Sequence, residues 1–281
     1  MSRSQLILNP MADRHNRFAK KSLGQNFLTD QAIIEKIVSA VELSEGDTAI
    51  EIGPGRGALT EHLIEKAGTV IAIELDRQLV PFLREQFSDK KNFHVLEEDV
   101  LQVNFEALLR DQSEFDILNS KSVKLVANLP YYISTAILQR LAEQRECFSS
   151  LVLMFQREVV DRITALPSNS DRGFLTVIVE AAFSVKKLLD VPPTAFEPQP
   201  KIWSSVVRLT PKERMIKDES RFRRLVSDAF GQKRKTILNN LKEKYPTVLE
   251  ALNLSNIDPK RRAETLTLPE WIALHDILRQ K

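Results

Sequence analysis

Two apolar rhythms alternate along the first 210 residues. In "DQAIIEKIVSAV", residues 30–41, Ile33, Ile34, Ile37, Val38 and Val41 recur at three- and four-residue spacing. That spacing predicts a helix with one buried stripe, and Asp30 stands where it can cap it. "TAIEI" (48–52), "VIAIE" (70–74), "FHVL" (93–96), "VKLVA" (123–127) and "SLVLMF" (150–155) are short runs, apolar almost throughout. Between them lie amphipathic stretches. Leu59, Leu63, Ile64 and Ala67 share a face, with Gly68 at the expected C-terminal cap, and "DRQLVPFLREQF" (76–87) is a second such helix. Fully apolar strands alternating with amphipathic helices predict a parallel sheet covered on both sides. "AFSVKKLLDV" (182–191) and "SSVVRL" (204–209) predict two late strands, antiparallel at one edge.

The strand rhythm stops after "TPKERM" (210–215). "SRFRRLVSDAF", "KRKTILNNLKEKY" and "LPEWIALHDILRQ" all have helical spacing, and Thr267 and Glu270 have that of a capping box. The pattern divides the chain into an α/β domain over 21–210 and a small all-α domain over 211–281. A basic arm, 1–20, precedes them and is expected to be mobile.

The chain has 281 residues, 43% hydrophobic and 28% charged, the composition of a globular protein. No apolar run reaches the roughly 20 residues of a membrane helix, and the N-terminal "LIL" is too short for a signal peptide. The single cysteine, Cys147, excludes an internal disulfide and a cysteine-rich zinc site, and His15, His62, His94 and His275 have no metal-ligand spacing. A cytoplasmic protein is expected, with no metal. Net charge is only +2, but its distribution is uneven. Arg14, Arg17, Lys20 and Lys21 crowd the arm. Arg221, Arg223, Arg224, Lys233, Arg234, Lys235, Lys260, Arg261 and Arg262 recur after residue 211, while Glu97, Glu98 and Asp99 lie in the middle. Basic ends around a more acidic body fit a polyanion, or simply solvated helix faces.

In "EIGPGRG", Gly53, Gly55 and Gly57 follow the first long strand directly and open a helix. Glu74 ends the next strand, 21 residues after Gly53, where a carboxylate can accept both hydroxyls of a ribose. A dinucleotide prefers G-x-G-x-x-G, so that its pyrophosphate rests on the helix N-terminus. Here the spacing is G-x-G-x-G after Glu51, the pattern of S-adenosylmethionine enzymes. Asp99 can accept from an adenine amine or cap the segment that follows it.

"KLVANLPYYIST" (124–135) ends a buried strand in an amide, a Leu-Pro step and two tyrosines. Asn128 lies at the carboxyl end of its strand, where open parallel sheets bind ligands. Its amide oxygen and the Leu129 carbonyl can accept from an exocyclic NH2, Pro130 fixes the turn, and Tyr131 can stack on a ring. An adenine amine is a poor nucleophile, because its lone pair is drawn into the ring. Two acceptors would pull it toward tetrahedral geometry and aim it at a methyl group on a sulfonium. Alignment of that kind is worth up to ~7–11 kcal/mol.

"NLPYYIST", with "GQNFLTD" (24–30), "EIGPGRGALT" (51–60) and "PTAFEPQPKIWSSVVRL" (193–209), closely resembles the rRNA adenine N6-dimethyltransferases, and most nearly the small-subunit (16S) enzymes of the KsgA family. The resemblance runs from about Lys20 to the C-terminus. It implies a Rossmann-like class I S-adenosylmethionine-dependent methyltransferase domain with a small helical C-terminal domain that binds RNA. The implied reaction transfers methyl groups from S-adenosylmethionine to the N6 amines of two adjacent adenosines in a hairpin loop near the 3′ end of small-subunit rRNA. The implied substrate is that rRNA within the immature 30S subunit, met by a monomer that also acts late in ribosome assembly.

Carried over by position, Asn26 and Leu28 would close over the cofactor. Gly53 would lie under its methionine moiety, Glu74 hold the ribose and Asp99 meet the adenine. Asn128 and Tyr131 would grip the target base, with Asn128 also near the cofactor. Phe196 would complete an aromatic clamp on a base flipped from its loop; on its own it also reads as a core aromatic between Pro193 and Pro198. Trp203 departs from the family, which commonly has an acidic residue there, and lies beside the substrate loop. In "KRKTILNNLK", Lys235, Asn239 and Lys242 form a face that can follow a phosphate backbone. The alternative with the same chemistry is a large-subunit rRNA adenine N6-methyltransferase of the antibiotic-resistance type. An assembly factor that works mainly by binding, and a nicotinamide dehydrogenase, are the alternatives of other classes.

Overall fold

The computed structural model describes residues 25–110 and 120–280; Arg14, Arg17, Lys20, Lys21 and the rest of the arm lie outside them. The strands are β1 (Phe27–Leu28), β2 (Asp47–Ile52), β3 (Thr69–Glu74), β4 (Phe93–Glu97), β5 (Ser122–Asn128), β6 (Ser150–Gln156), β7 (Phe183–Val191), β8 (Phe196–Glu197) and β9 (Ser204–Pro211). The main helices of the first part are α1 (Gln31–Val41), α2 (Thr60–Ile64), α3 (Leu79–Gln86), α4 (Phe105–Arg110), α5 (Ser134–Glu143), α6 (Arg157–Ile163) and α7 (Phe174–Ala182). Seven strands form one sheet in the order β4-β3-β2-β5-β6-β9-β7. The first five are parallel, while β9 runs antiparallel to both β6 and β7.

Strand order reverses between β2 and β5. The chain builds outward through β3 and β4, then returns to start the other half on the far side of β2. Crossover helices leave on opposite faces at that point, so a crevice opens above the carboxyl ends of β2 and β5. Alternate side chains fill the two faces. Ile50, Ile52, Leu125, Ala127, Leu151 and Leu153 belong to one buried cluster, and Ala49, Val126, Val152 and Met154 to the other.

Asp30 caps α1 as predicted, accepting from Ile33 N at 3.1 Å. Gly68 does not cap α2, which ends at Ile64. A Cβ there would lie 2.3 Å from the Glu45 carbonyl oxygen, so close backbone contact is what requires glycine. Asp47, 5% exposed, ties β2 to β5. It accepts from Ser122 Oγ at 2.6 Å, from Lys124 Nζ at 3.0 Å and from both N and Oγ of Ser44.

After residue 211 the chain is helical, in α8 (Glu219–Ala229), α9 (Ile237–Leu241), α10 (Val248–Leu254) and α11 (Leu268–Gln280). Thr267 and Glu270 form the capping box at the head of α11, with Thr267 N donating to Glu270 Oε2 at 2.8 Å and Glu270 N to Thr267 Oγ1 at 3.4 Å. The helix expected over 233–245 is reduced to α9, and α10 follows where no helix was expected. These helices share the core of the sheet. Phe222, Leu225, Trp271 and Leu274 lie in the same buried cluster as Leu141 and Ile178 of α5 and α7. Arg145, 2% exposed, is held across the junction by both carboxylate oxygens of Glu219 and by the Lys212 carbonyl at 3.1 Å. Among the described residues, no helix is long and apolar enough to cross a membrane.

Candidate functional site

The crevice at the strand reversal is a cavity of about 350 Å³. Its floor is the turn after β2, which needs glycine for two different reasons. Gly53, Gly55 and Gly57 all have left-handed backbone, with φ of 66°, 60° and 83°. A Cβ on Gly55 or Gly57 would strike Phe27 or Phe87 at 2.9 Å, so those two are also demanded by packing. A Cβ on Gly53 would meet nothing within 4 Å. Backbone laid bare against open space is what a closely approaching ligand requires.

The walls come from neighbouring strand ends. Asn26 precedes β1 and Leu28 ends it, Glu74 ends β3, Asp99 follows β4, and Asn128 ends β5 with Tyr131 just beyond; all six line the cavity with Gly53. Residues far apart in sequence meet here because parallel strands all finish at the same edge.

Phe196 is the exception. It pairs with Leu28 in the two-stranded β1–β8 ladder, is 3% exposed and lies in the core cluster with Leu28 and Ala195. The described cavity lining includes its neighbour Glu197 rather than Phe196. The side chain implied by the resemblance to complete the aromatic clamp is thus packed in the core, because its pairing with Leu28 turns it inward.

Asn128 is locked in orientation. Its Nδ2 donates to the Asn26 carbonyl at 3.1 Å, which leaves Oδ1 as the acceptor available to a ligand. The Tyr131 hydroxyl is 2.7 Å from Ser204 Oγ, and burial raises its pKa, so the phenol stays neutral. Ser134 Oγ donates to the Tyr131 carbonyl at 3.1 Å and closes the turn onto α5. Asp99 takes Leu101 N at 3.0 Å on Oδ1. That bond closes a turn and does not cap the helix that follows: Asn104 caps α4, its Oδ1 accepting from Ala107 N at 3.0 Å, so Asp99 keeps its place on the cavity wall without the expected N-cap role.

Electrostatics narrow the ligand. Among the described residues the lining carries five carboxyl groups besides the protonated Glu51, those of Glu61, Glu74, Glu98, Asp99 and Glu197, against one guanidinium, Arg56. A pyrophosphate would be repelled here and a cation drawn in. Burial raises the Glu74 carboxyl above its ordinary range, although Asp76 N donates to it at 2.9 Å and Gly55 N at 3.4 Å. Glu51 is 1% exposed, and burial pushes its carboxyl up to about 8. The Thr60 hydroxyl, 2.5 Å away, opposes that shift, and the nearby Glu74 charge adds to it.

Several participants had no clear signal in the sequence. Arg56 stacks its guanidinium 4.2 Å from the Phe27 ring centroid and reaches Glu197 at 3.8 Å, clasping the β1–β8 ladder to the glycine turn. Ser204 steadies Tyr131 from 73 residues away. No local pattern marks such a partner, because only the sheet brings it close.

The family model for ribosomal RNA adenine dimethylase matches residues 16–280. A protein of Alkaliphilus oremlandii named ribosomal RNA small subunit methyltransferase A is 43% identical over 270 residues, covering 93% of this chain and 92% of its own. The crystal structure of a dimethyladenosine transferase from Plasmodium falciparum superposes with a TM-score of 0.76 at 26% identity, covering 90% of this chain and 98% of that one. That of the 23S rRNA methyltransferase ErmE gives 0.65 at 25% identity, covering 91% and 100%. With a family match over nearly its whole length and a glycine turn, distal acid and anchored amide meeting in one cavity, the chain belongs to the ribosomal RNA adenine dimethylase family.

Proposed function

We propose that this protein transfers methyl groups from S-adenosylmethionine to the N6 amines of two adjacent adenosines in a hairpin loop near the 3′ end of small-subunit rRNA, giving N6,N6-dimethyladenosine. One observation carries the reading: the Asn128 amide is fixed by the Asn26 carbonyl, with its oxygen left over, in the cavity that also holds Gly53 and Glu74.

The residues present fit the cofactor. Gly53 offers open backbone, the carboxyl-rich lining favours a cation, and Glu74 stands at a strand end suited to a ribose. When bound, S-adenosylmethionine supplies a methyl group on a positively charged sulfur, which is a good leaving group. In this reading Asn26 and Leu28 cover it, Gly53 underlies the methionine portion, Glu74 takes the ribose hydroxyls and Asp99 the adenine amine.

The target adenine enters from the Tyr131 side. Asn128 Oδ1 and the Leu129 carbonyl accept its two N6 protons, returning the lone pair to nitrogen and aligning it for in-line attack. Tyr131 stacks on the base. Phe196 supports that clamp from behind, through Leu28 and the β1–β8 ladder. The amine is acidified as it becomes N-methylated and passes its proton to water, so no strong base is required.

The helices after residue 211 form the RNA-binding part, with the arm over 1–20 as a further basic element. The partner is small-subunit rRNA within the immature 30S particle, met by a cytoplasmic monomer, and binding there makes the protein a late assembly factor as well. Among the relatives, those at 39–44% identity carry the small-subunit name. Parallel incubation of purified small and large subunits with labelled cofactor tests the assignment. Label in small-subunit RNA alone is expected, and label in large-subunit RNA alone would replace it with the resistance-type activity.

A further inference from the structure

One large side chain, next in sequence to the serine that holds Tyr131, is left exposed. Trp203, between β8 and β9, is 45% exposed and follows Ile202 at 40%, whereas Trp271 is wholly buried. These are the two tryptophans of the chain. Leaving an indole in water forgoes the stabilisation its burial would bring.

The indole is nonetheless held in place. Arg157, the first residue of α6, donates its backbone N–H to the Trp203 carbonyl at 2.9 Å, and its guanidinium carbon lies 4.8 Å from the indole ring centroid. Asp190 steadies that guanidinium at 3.3 Å and is itself bound by Lys187 at 2.8 Å and by Ser205 Oγ at 2.5 Å. Arg157 therefore covers the ring from one side and adds positive charge beneath it. Lys201, two residues earlier, is also exposed.

Position connects this pair to the cavity. Ser204, next to Trp203, holds the Tyr131 hydroxyl at 2.7 Å, and Tyr132, 57% exposed, lines the cavity mouth. A strand leaving the cavity past Tyr131 and Tyr132 would find Trp203 one residue from the serine that holds Tyr131. Taking one base out of a loop unstacks its neighbours, and single-stranded RNA is held by aromatic rings and guanidinium planes on which such bases stack.

We propose that Trp203, backed by Arg157, is a stacking site for an unpaired nucleobase flanking the target adenine, with Arg157 and Lys201 facing the adjoining phosphates. The proposal rests on the reading that the cavity methylates RNA, and it assigns a further subsite to that substrate.

Two measurements on the full chain test it. Because Trp271 is buried, quenching of tryptophan emission by single-stranded hexaadenylate reports on Trp203. Saturable quenching is expected in the native protein and none in Trp203→Phe. Methyl transfer to small subunits is then followed against subunit concentration. Trp203→Ala should raise KM for subunits by roughly 5- to 150-fold, with Trp203→Phe close to the native value and cofactor affinity unchanged in both. No quenching, or a Trp203→Ala KM within twofold of native, overturns the site while leaving the methyltransferase reading intact. Quenching without methyl transfer by the native protein would sink that reading and keep the stacking site.

Discussion

At the scale of single residues, function here depends on which atoms are already taken. Asn128 spends its NH2 on the Asn26 carbonyl, which keeps its oxygen turned to the cavity, where the proposed reaction needs an acceptor for the substrate amine. Tyr131 spends its hydroxyl on Ser204, so in the proposed reaction it is the ring face that meets the base. Tyr131→Phe should therefore cost under about tenfold in kcat/KM, the range of one lost neutral hydrogen bond, while Tyr131→Ala costs much more. Steady-state rates on small subunits check both. Glu51 is held neutral by burial, with a carboxyl that ionises near 8 in place of 4.5. Between those values the folded protein holds a proton that the unfolded chain releases, so stability falls as pH rises through that window. Urea unfolding between pH 5 and 8.5 should show this loss, on the order of a few kcal/mol, and Glu51→Gln should flatten it. An equal pH slope in both proteins would mean that Glu51 is not the group responsible.

At the scale of elements, the glycine turn shows what was legible and what was not. Its spacing, the strand before it and the acid 21 residues later identified a nucleoside site from sequence, because those distances follow from one strand–turn–helix–strand unit. The separate duties of the three glycines were not legible. Gly57→Ala drives a Cβ into Phe87 and should lower the melting temperature clearly, whereas Gly53→Ala meets no atom and carries only left-handed strain of about 1–2 kcal/mol. Gly53→Ala should instead weaken cofactor binding more than stability, as calorimetry with S-adenosylmethionine and thermal melts would show. Phe196 marks the opposite limit. Its motif is recognisable, but which way a β8 side chain faces depends on pairing with β1, a register that local pattern does not carry. Asp47 is similar: nothing local reveals that it pairs with Lys124 and Ser122. Asp47→Ala should cost about 3–5 kcal/mol in urea unfolding, since it strands a partly buried lysine.

At the scale of the whole molecule, the basic residues of the helices after residue 211 divide between structural contacts and the RNA contacts proposed for them, which composition could not separate. The basic clusters read as one RNA-facing surface, but several of these residues are structural. Arg221 donates to the Leu278 and Arg279 carbonyls, Arg223 reaches Glu143 at 3.3 Å, and Arg261 grips Glu270. Lys233, Arg234 and Lys235, exposed in the turn before α9, remain the better candidates for phosphate contact. Charge reversal at those three should weaken RNA binding and reduce its salt dependence, whereas Arg223→Ala should mainly lower stability. Filter binding across a range of salt concentrations separates the two effects, with a slope change near 0.7–0.9 expected per lost contact.

In the proposed reaction an oriented amide, that of Asn128, prepares an adenine amine for methylation. The most direct test of that role compares the native protein with Asn128→Ala, using labelled S-adenosylmethionine, small ribosomal subunits lacking the modification, and nucleoside analysis of the RNA. The native protein should yield N6,N6-dimethyladenosine. The variant should bind cofactor nearly as well yet lose on the order of 10²–10³ in rate, as when one preorganised hydrogen-bonding group is removed from a reacting centre. A variant that dimethylates small-subunit RNA at the native rate would contradict the account.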